Sequence, residues 1–135
     1  MTAPSAIPES KILYDIRKEF GRLQNGRLLR HNVGALYDAN GRLIRYGIPG
    51  HPDLAGLIDT SVECPSCSAA VPLRGRWIGL EVKTDVGKVE PQQKLFHDMI
   101  ERYGGLVSVV RSVEEAREVM RAWGAIWEKD GSMKR

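Results

Sequence analysis

The sequence predicts an α/β domain, in the α+β sense of a small mixed sheet flanked by helices. Three observations carry that expectation. Apolar residues recur at helical spacing from Glu9 to about Leu23, from Pro91 to Tyr103 and again after Ser112. Short β-branched or alternating runs fill the intervals between them. Asn-Gly, Gly-Gly and proline signals punctuate the boundaries. The 135 residues suit one domain with a real core, taken as 8–128, with a mobile lead-in at 1–7 and a frayed tail at 129–135.

The first helix is expected to open with Pro8 at its first position and to end before Asn25-Gly26. Its apolar stripe is Ile12, Leu13, Ile16, Phe20 and Leu23. At 100° per residue Glu9 falls in the middle of that stripe and Glu19 on its flank. Glu9 reads either as a first-turn acid favoured by the helix dipole or as an acid turned toward the sheet. Leu28–Leu36 and Arg42–Tyr46 read as strands joined by a hairpin turn at Asp38-Ala39-Asn40-Gly41.

Gly47-Ile48-Pro49-Gly50-His51-Pro52-Asp53 packs two glycines and two prolines into six residues before Asp53, a rigid bend that delivers this acid to a strand at Leu54–Ile58. Residues 62–75 read as an excursion carrying both cysteines. The strand at Trp77–Lys83 then pairs antiparallel with 54–58, which brings Asp53 and Glu81 together if the open ends align. A helix from Pro91 closes at Gly104-Gly105, a buried strand covers Leu106–Val110, and Ser112 with Glu115 forms a capping box for a last helix to about Trp127.

No stretch has the length of a membrane span, and Met1–Pro8 lacks the build of a signal peptide, so a cytoplasmic setting is the default. The net charge is +3, but Arg17–Arg45 alone carries +5. An arginine-rich third suits a phosphate-backbone partner, and solvated surface charge explains it equally well.

The chemistry centres on Glu81 and Lys83, two apart on a strand and therefore on one face. An ion pair is the plain explanation of an isolated E-x-K. The alternative is a metal-dependent phosphodiesterase site. Asp53 and Glu81 supply the hard oxygen donors Mg²⁺ prefers, with the backbone carbonyl of Val82 as a third. Lys83 would orient or help deprotonate a water and stabilise developing charge. Helical spacing centres Gln92 on the Leu95/Phe96/Met99/Tyr103 stripe, with Gln93 beside it. No serine-histidine-aspartate order or P-loop competes.

These residues resemble a known family. Pro52-Asp53, a long gap and Glu81-x-Lys83 match the PD-(D/E)XK nuclease signature. Glu9 on its helix, Arg30-x-Asn32, Gly47-x-Pro49-Gly50-x-Pro52-Asp53, Glu81-Val82-Lys83, Pro91-x-Gln93 and Gly104-Gly105 follow in order. The run is similar to the VRR-NUC (virus-type replication-repair nuclease) branch in its minimal stand-alone form, common in phages and bacteria, over roughly Pro8 to Glu118. The resemblance implies a restriction-endonuclease-like core and Mg²⁺- or Mn²⁺-dependent DNA cleavage. It implies Asp53 and Glu81 as metal ligands, Lys83 as catalytic lysine, Glu9 as the helix acid with Glu19 as fallback, and Gln93 rather than Gln92 as the motif glutamine. It also implies a homodimer resembling Holliday-junction resolvases, acting on branched or structured DNA in replication or repair, with a helicase as a candidate partner. Arg30, Asn32, Lys88 and His51 are the candidate DNA contacts.

Two other function classes compete. One is a non-catalytic DNA-binding or assembly module on the same fold, although the site has kept both acids and the lysine. The other is a restriction-type nuclease, for which no recognition domain is visible. Cys64-Pro65-Ser66-Cys67 departs from the minimal family. C-x₂-C is half of a structural Zn²⁺ site, and the chain has no other cysteine. Two reduced thiols in a turn is the favoured reading. The others are a Zn²⁺ shared across a dimer and one completed by an acid such as Glu63.

Overall fold

A computed structural model describes residues 7–128; the expectations for the lead-in before Ile7 and for the tail at 129–135 lie outside the described residues. The elements are α1 (Glu9–Phe20), β1 (Gly26–Arg30), β2 (Gly34–Tyr37), β3 (Leu43–Tyr46), β4 (Leu54–Glu63), β5 (Ala70–Val82), α2 (Pro91–Arg102), β6 (Leu106–Val110) and α3 (Val113–Ala122). The main sheet has the order β1-β4-β5-β6. Its first two pairings are antiparallel, and β6 lies parallel to β5. The connection that returns the chain for that parallel pairing is α2, as a parallel neighbour requires. The mixed sheet flanked by helices is therefore present.

The alternation along β5 sorts the two layers. Ile78, Leu80 and Val82 are fully buried with Leu54, Ile58 and Val110 among the apolar residues of α1 and α3. Trp77, Gly79 and Glu81, on the opposite face, look toward α2, where Phe96 meets Trp77 and Gln93 meets Glu81. The strand thus packs one face with the apolar residues of α1 and α3 and turns the other toward α2.

Several boundaries differ from expectation, each for a visible reason. Pro8 is the N-cap of α1 rather than its first helical residue. The helix stops at Phe20, because Leu23 forms a bridge with Trp127 and the Gln24 N–H donates to the Ile126 carbonyl. The Asn25 side chain donates to the carbonyls of Asp59 and Gly124 and accepts from the Ile126 N–H. It is a tertiary clasp as well as a helix terminator. The last helix does not reach Trp127. Gly124, at φ 88°, ends it in a Schellman turn with Gly124 N–H to Arg121 O and Ala125 N–H to Met120 O. Gly104 closes α2 in the same way. At the start of α3 the Ser112 hydroxyl accepts from the Glu115 N–H, whereas the Glu115 carboxylate reaches back to Arg111 N–H.

Leu28–Leu36 is not one strand. The chain leaves the main sheet after Arg30, and Gly34–Tyr37 pairs only with β3, as a separate hairpin. Its turn is built on Asp38, whose side chain accepts from the N–H groups of Asn40 and Arg42. Nor is 62–75 an irregular excursion. After a register shift between Ile58 and Thr60, β4 and β5 continue as a paired arm to Glu63 and Ala70, and only 64–69 turns.

Trp127 is buried edge-on against Phe20, 4.8 Å between centroids. Its indole N–H donates to Glu19, which also receives the Arg117 guanidinium. Glu19 therefore ties α1 to α3. Glu19→Ala leaves the indole and Arg117 without their acceptor and is expected to cost about 2 kcal/mol, read as a lowered urea midpoint, with no loss of any activity of the cleft described next.

Candidate active site

The 47–53 bend is shaped by two glycines at positive φ, Gly47 and Gly50. A Cβ on Gly50 would lie 2.4 Å from the Gln92 carbonyl oxygen, and one on Gly47 would lie 2.5 Å from that of Asn32. The bend is thus pressed between the start of α2 and the exit from β1, a fit only glycine allows. It sets Pro52 in the core and Asp53 at the head of β4. There the Asp53 carboxylate accepts from the Val82 N–H at 2.8 Å, and the Asp53 carbonyl accepts from His31 N–H. Asp53 is locked onto the open end of β5.

Glu81 is 2% exposed. One of its oxygens accepts from the Gln93 side-chain amide at 3.1 Å. The amide is aimed by the helix start: Gln93 Oε1 accepts from the Glu90 N–H in a capping box, which leaves its Nε2 for Glu81. The other oxygen, Oε2, faces His97 Nε2 at 3.8 Å, too long for a hydrogen bond, and both atoms are buried without a partner. Burial, joined by the adjacent Asp53 carboxylate, raises the Glu81 pKa to about 7 against the opposing pull of His97 and Lys83.

Asp53, Glu81 and Gln93 share a cleft of about 700 Å³ with Arg30, Asn32 and His51. Arg30 Nε donates to the Asn32 side chain at 2.8 Å, so the R-x-N pair is one unit. His51 lies between His31, Phe96 and Trp77. Burial, and then the charge of His51, lowers the His31 pKa. The β2–β3 hairpin forms the outer wall through Gly34, Ala35, Arg45 and Tyr46. A neighbouring cleft of about 340 Å³ joins Glu9, Arg17, Arg30 and Asp53.

The sequence-derived set is largely drawn together. Glu9, rather than Glu19, faces the Asp53 side. Gln93, rather than Gln92, touches Glu81, although both line the cleft. Lys83 is half-buried and follows directly on β5, which ends at Val82 rather than including it; its charge acts to lower the Glu81 pKa, but it is not among the residues lining the cleft. The Val82 side chain is fully buried. Lys88 is exposed and is not among the residues lining the cleft. Cys64 and Cys67 lie at the far tip of the β4–β5 arm, where no third donor joins them among the described residues. Among the described residues no group of three or more His, Cys, Asp or Glu side chains is placed to hold a metal ion, so Glu63 does not complete a site with them.

The sequence reading missed His97, His31 and Arg45. His97 had a usable signal: it is four residues beyond Gln93 and so on the same helical face. His31 stood unremarked inside the Arg30-x-Asn32 motif, and Arg45 had no signal, because it reaches the cleft only once the chain has folded into the β2–β3 hairpin.

The chain matches no protein-family model, no curated protein and no solved structure.

The Glu81 environment predicts an inverted pH dependence. The free carboxyl titrates near 4.5 and the folded one near 7. Between those values the folded state holds a proton that the unfolded state has released, so stability falls as pH rises through that window, by on the order of 3 kcal/mol. Glu81→Gln should remove that loss. Without divalent ions the variant is expected to be more stable than the parent at pH 8 in urea titrations, with the gap closing toward pH 4.5.

Proposed function

We propose that this chain is a divalent-metal-dependent nuclease that hydrolyses DNA phosphodiester bonds. The observation that carries the reading is the Asp53–Glu81 contact. Two carboxylates are held side by side, one buried with an unpartnered oxygen, and the Lys83 charge just beyond the strand end acts on Glu81. Burial and repulsion disfavour charging both acids unless a cation joins them. Mg²⁺ or Mn²⁺ suits this oxygen donor set, with Asp53, Glu81 and the Val82 carbonyl as the protein ligands. Such an ion supplies a low-pKa water and charge neutralisation at the phosphate.

The residues of the chain would do the rest. Gln93 holds Glu81 in orientation by its capped amide. The Lys83 ammonium stabilises charge developing on the phosphate and orients the attacking water. Arg30, held by Asn32, is set to take a neighbouring phosphate, and Arg45 offers a second cation from the hairpin wall. Glu9 adds an acid on the far side of Asp53. The resemblance to VRR-NUC nucleases supports the same chemistry and extends it to branched or structured DNA cut by a homodimer in replication or repair. No described helix is long and apolar enough to cross a membrane.

The test is nicking of supercoiled plasmid and of duplex, flap, single-stranded and four-way-junction DNA in Mg²⁺ or Mn²⁺. Asp53→Asn, Glu81→Gln and Lys83→Met should each reduce the rate by about 10³-fold or more while circular dichroism is unchanged. Variants that cut like the parent would remove the site assignment. Tight DNA binding by a parent that never cuts would instead support a binding module.

A further inference from the structure

The β4–β5 arm has no role in the cleft. Pairing with β1 ends at Ile58 and pairing with β6 begins at Ile78, so beyond those points the two strands run on without a third. From Thr60 to Cys64 the arm extends about 13 Å. Alternation puts Thr60, Val62, Val71 and Leu73 on one face, and continuation of that register adds Cys64. Val62 and Val71, directly opposite one another, are each 40% exposed. A two-stranded ribbon is marginal by itself in water, and its tip is where the chain has placed its only two cysteines.

The tip is a tight, hydrogen-bonded turn. Cys64 N–H donates to the Ala69 carbonyl and Ser68 N–H to the Cys64 carbonyl, with Ser68 at φ 60°. Inside it the backbone N–H groups of Ser66 and Cys67, and the Cys67 thiol, are directed at the Cys64 sulfur and lower its pKa. N–H groups converging on a sulfur stabilise a thiolate, the form that binds metal. Both thiols are free, and Cys67 is exposed.

We propose that Cys64-Pro65-Ser66-Cys67 is half of a tetrahedral thiolate site for zinc, completed by the same turn of a second copy of this chain. Two sulfurs cannot satisfy a closed structural site, which takes four ligands. No further Cys exists in the chain, and among the described residues no third donor joins the pair. A second copy supplies two sulfurs in the same geometry, and the isologous arrangement closes on itself with one metal for two chains. Binding balances as one Zn²⁺ and four thiols giving a tetrathiolate and four released protons, with no redox step. The valine-bearing arm faces extend from the joined tips. This link is independent of the nuclease reading, since it uses no residue of the cleft.

Reduced, metal-free full-length protein is titrated with Zn²⁺ and followed by native mass spectrometry. Cobalt(II) replaces zinc in a parallel titration that reads thiolate ligation from its charge-transfer and tetrahedral bands. The expected end point is one metal per two chains, all-sulfur ligation and a chelator-reversible link between chains. Cys64→Ser and Cys67→Ser should each hold less than about one-tenth of that metal, with unaltered circular dichroism and metal-free thermal unfolding. One metal per chain, no bound metal, or a metal-dependent link that survives in the serine variants would overturn the proposal.

Discussion

The site depends on burying Glu81. A carboxylate at 2% exposure is costly unless its surroundings answer its charge. Here they answer it partly: Gln93 donates to one oxygen, His97 stands just beyond hydrogen-bond reach of the other, and Asp53 lies close enough to repel it. The incomplete compensation leaves Glu81 Oε2 and His97 Nε2 buried without a hydrogen-bond partner. A fully paired Glu81 would make a more stable protein.

Most of the local architecture can be understood as holding that arrangement still. The Gly/Pro bend is clamped against α2 and the exit from β1 at two positions where no side chain fits. Asp53 is fixed by a backbone donor of β5, and Gln93 by the backbone of its own helix start. Neither acid therefore depends on a flexible side chain for its position. The supports come from β4, β5 and α2, elements packed on one another, and such rigid anchoring suits chemistry that needs groups placed in advance. By contrast, the two arginines that line the cleft, Arg30 and Arg45, sit on the sheet edge and on the hairpin.

The remainder of the molecule follows a separate logic. Glu19, Arg117 and Trp127 join α1 to α3 on the far side of the sheet. Glu9 and Glu19 come from one helix, yet one borders the cleft while the other serves packing. The ten-residue offset carries them to opposite ends of α1, and only the contacts at each end distinguish their roles.

Much of this was legible in the sequence. The expected strand reached Glu81 but stops at Val82, one residue short of Lys83, while the bend marked Asp53 and Gly104 marked the end of α2, because each depends on local sterics or a two-residue period. Gly124 carries the same C-terminal signal as Gly104; an apolar pattern continuing to Trp127 masked it, since Trp127 is buried through a bridge to Leu23 rather than on a helical face. The split of Leu28–Leu36 into two sheets had no local mark, as both halves are good strand. The motif favoured Gln93 over the helical-spacing choice of Gln92, and only the folded structure shows the Gln93 contact with Glu81 and that 62–75 is a paired arm with both thiols at its tip. Those facts turn on burial and strand pairing between residues far apart in the chain, which a local pattern does not encode.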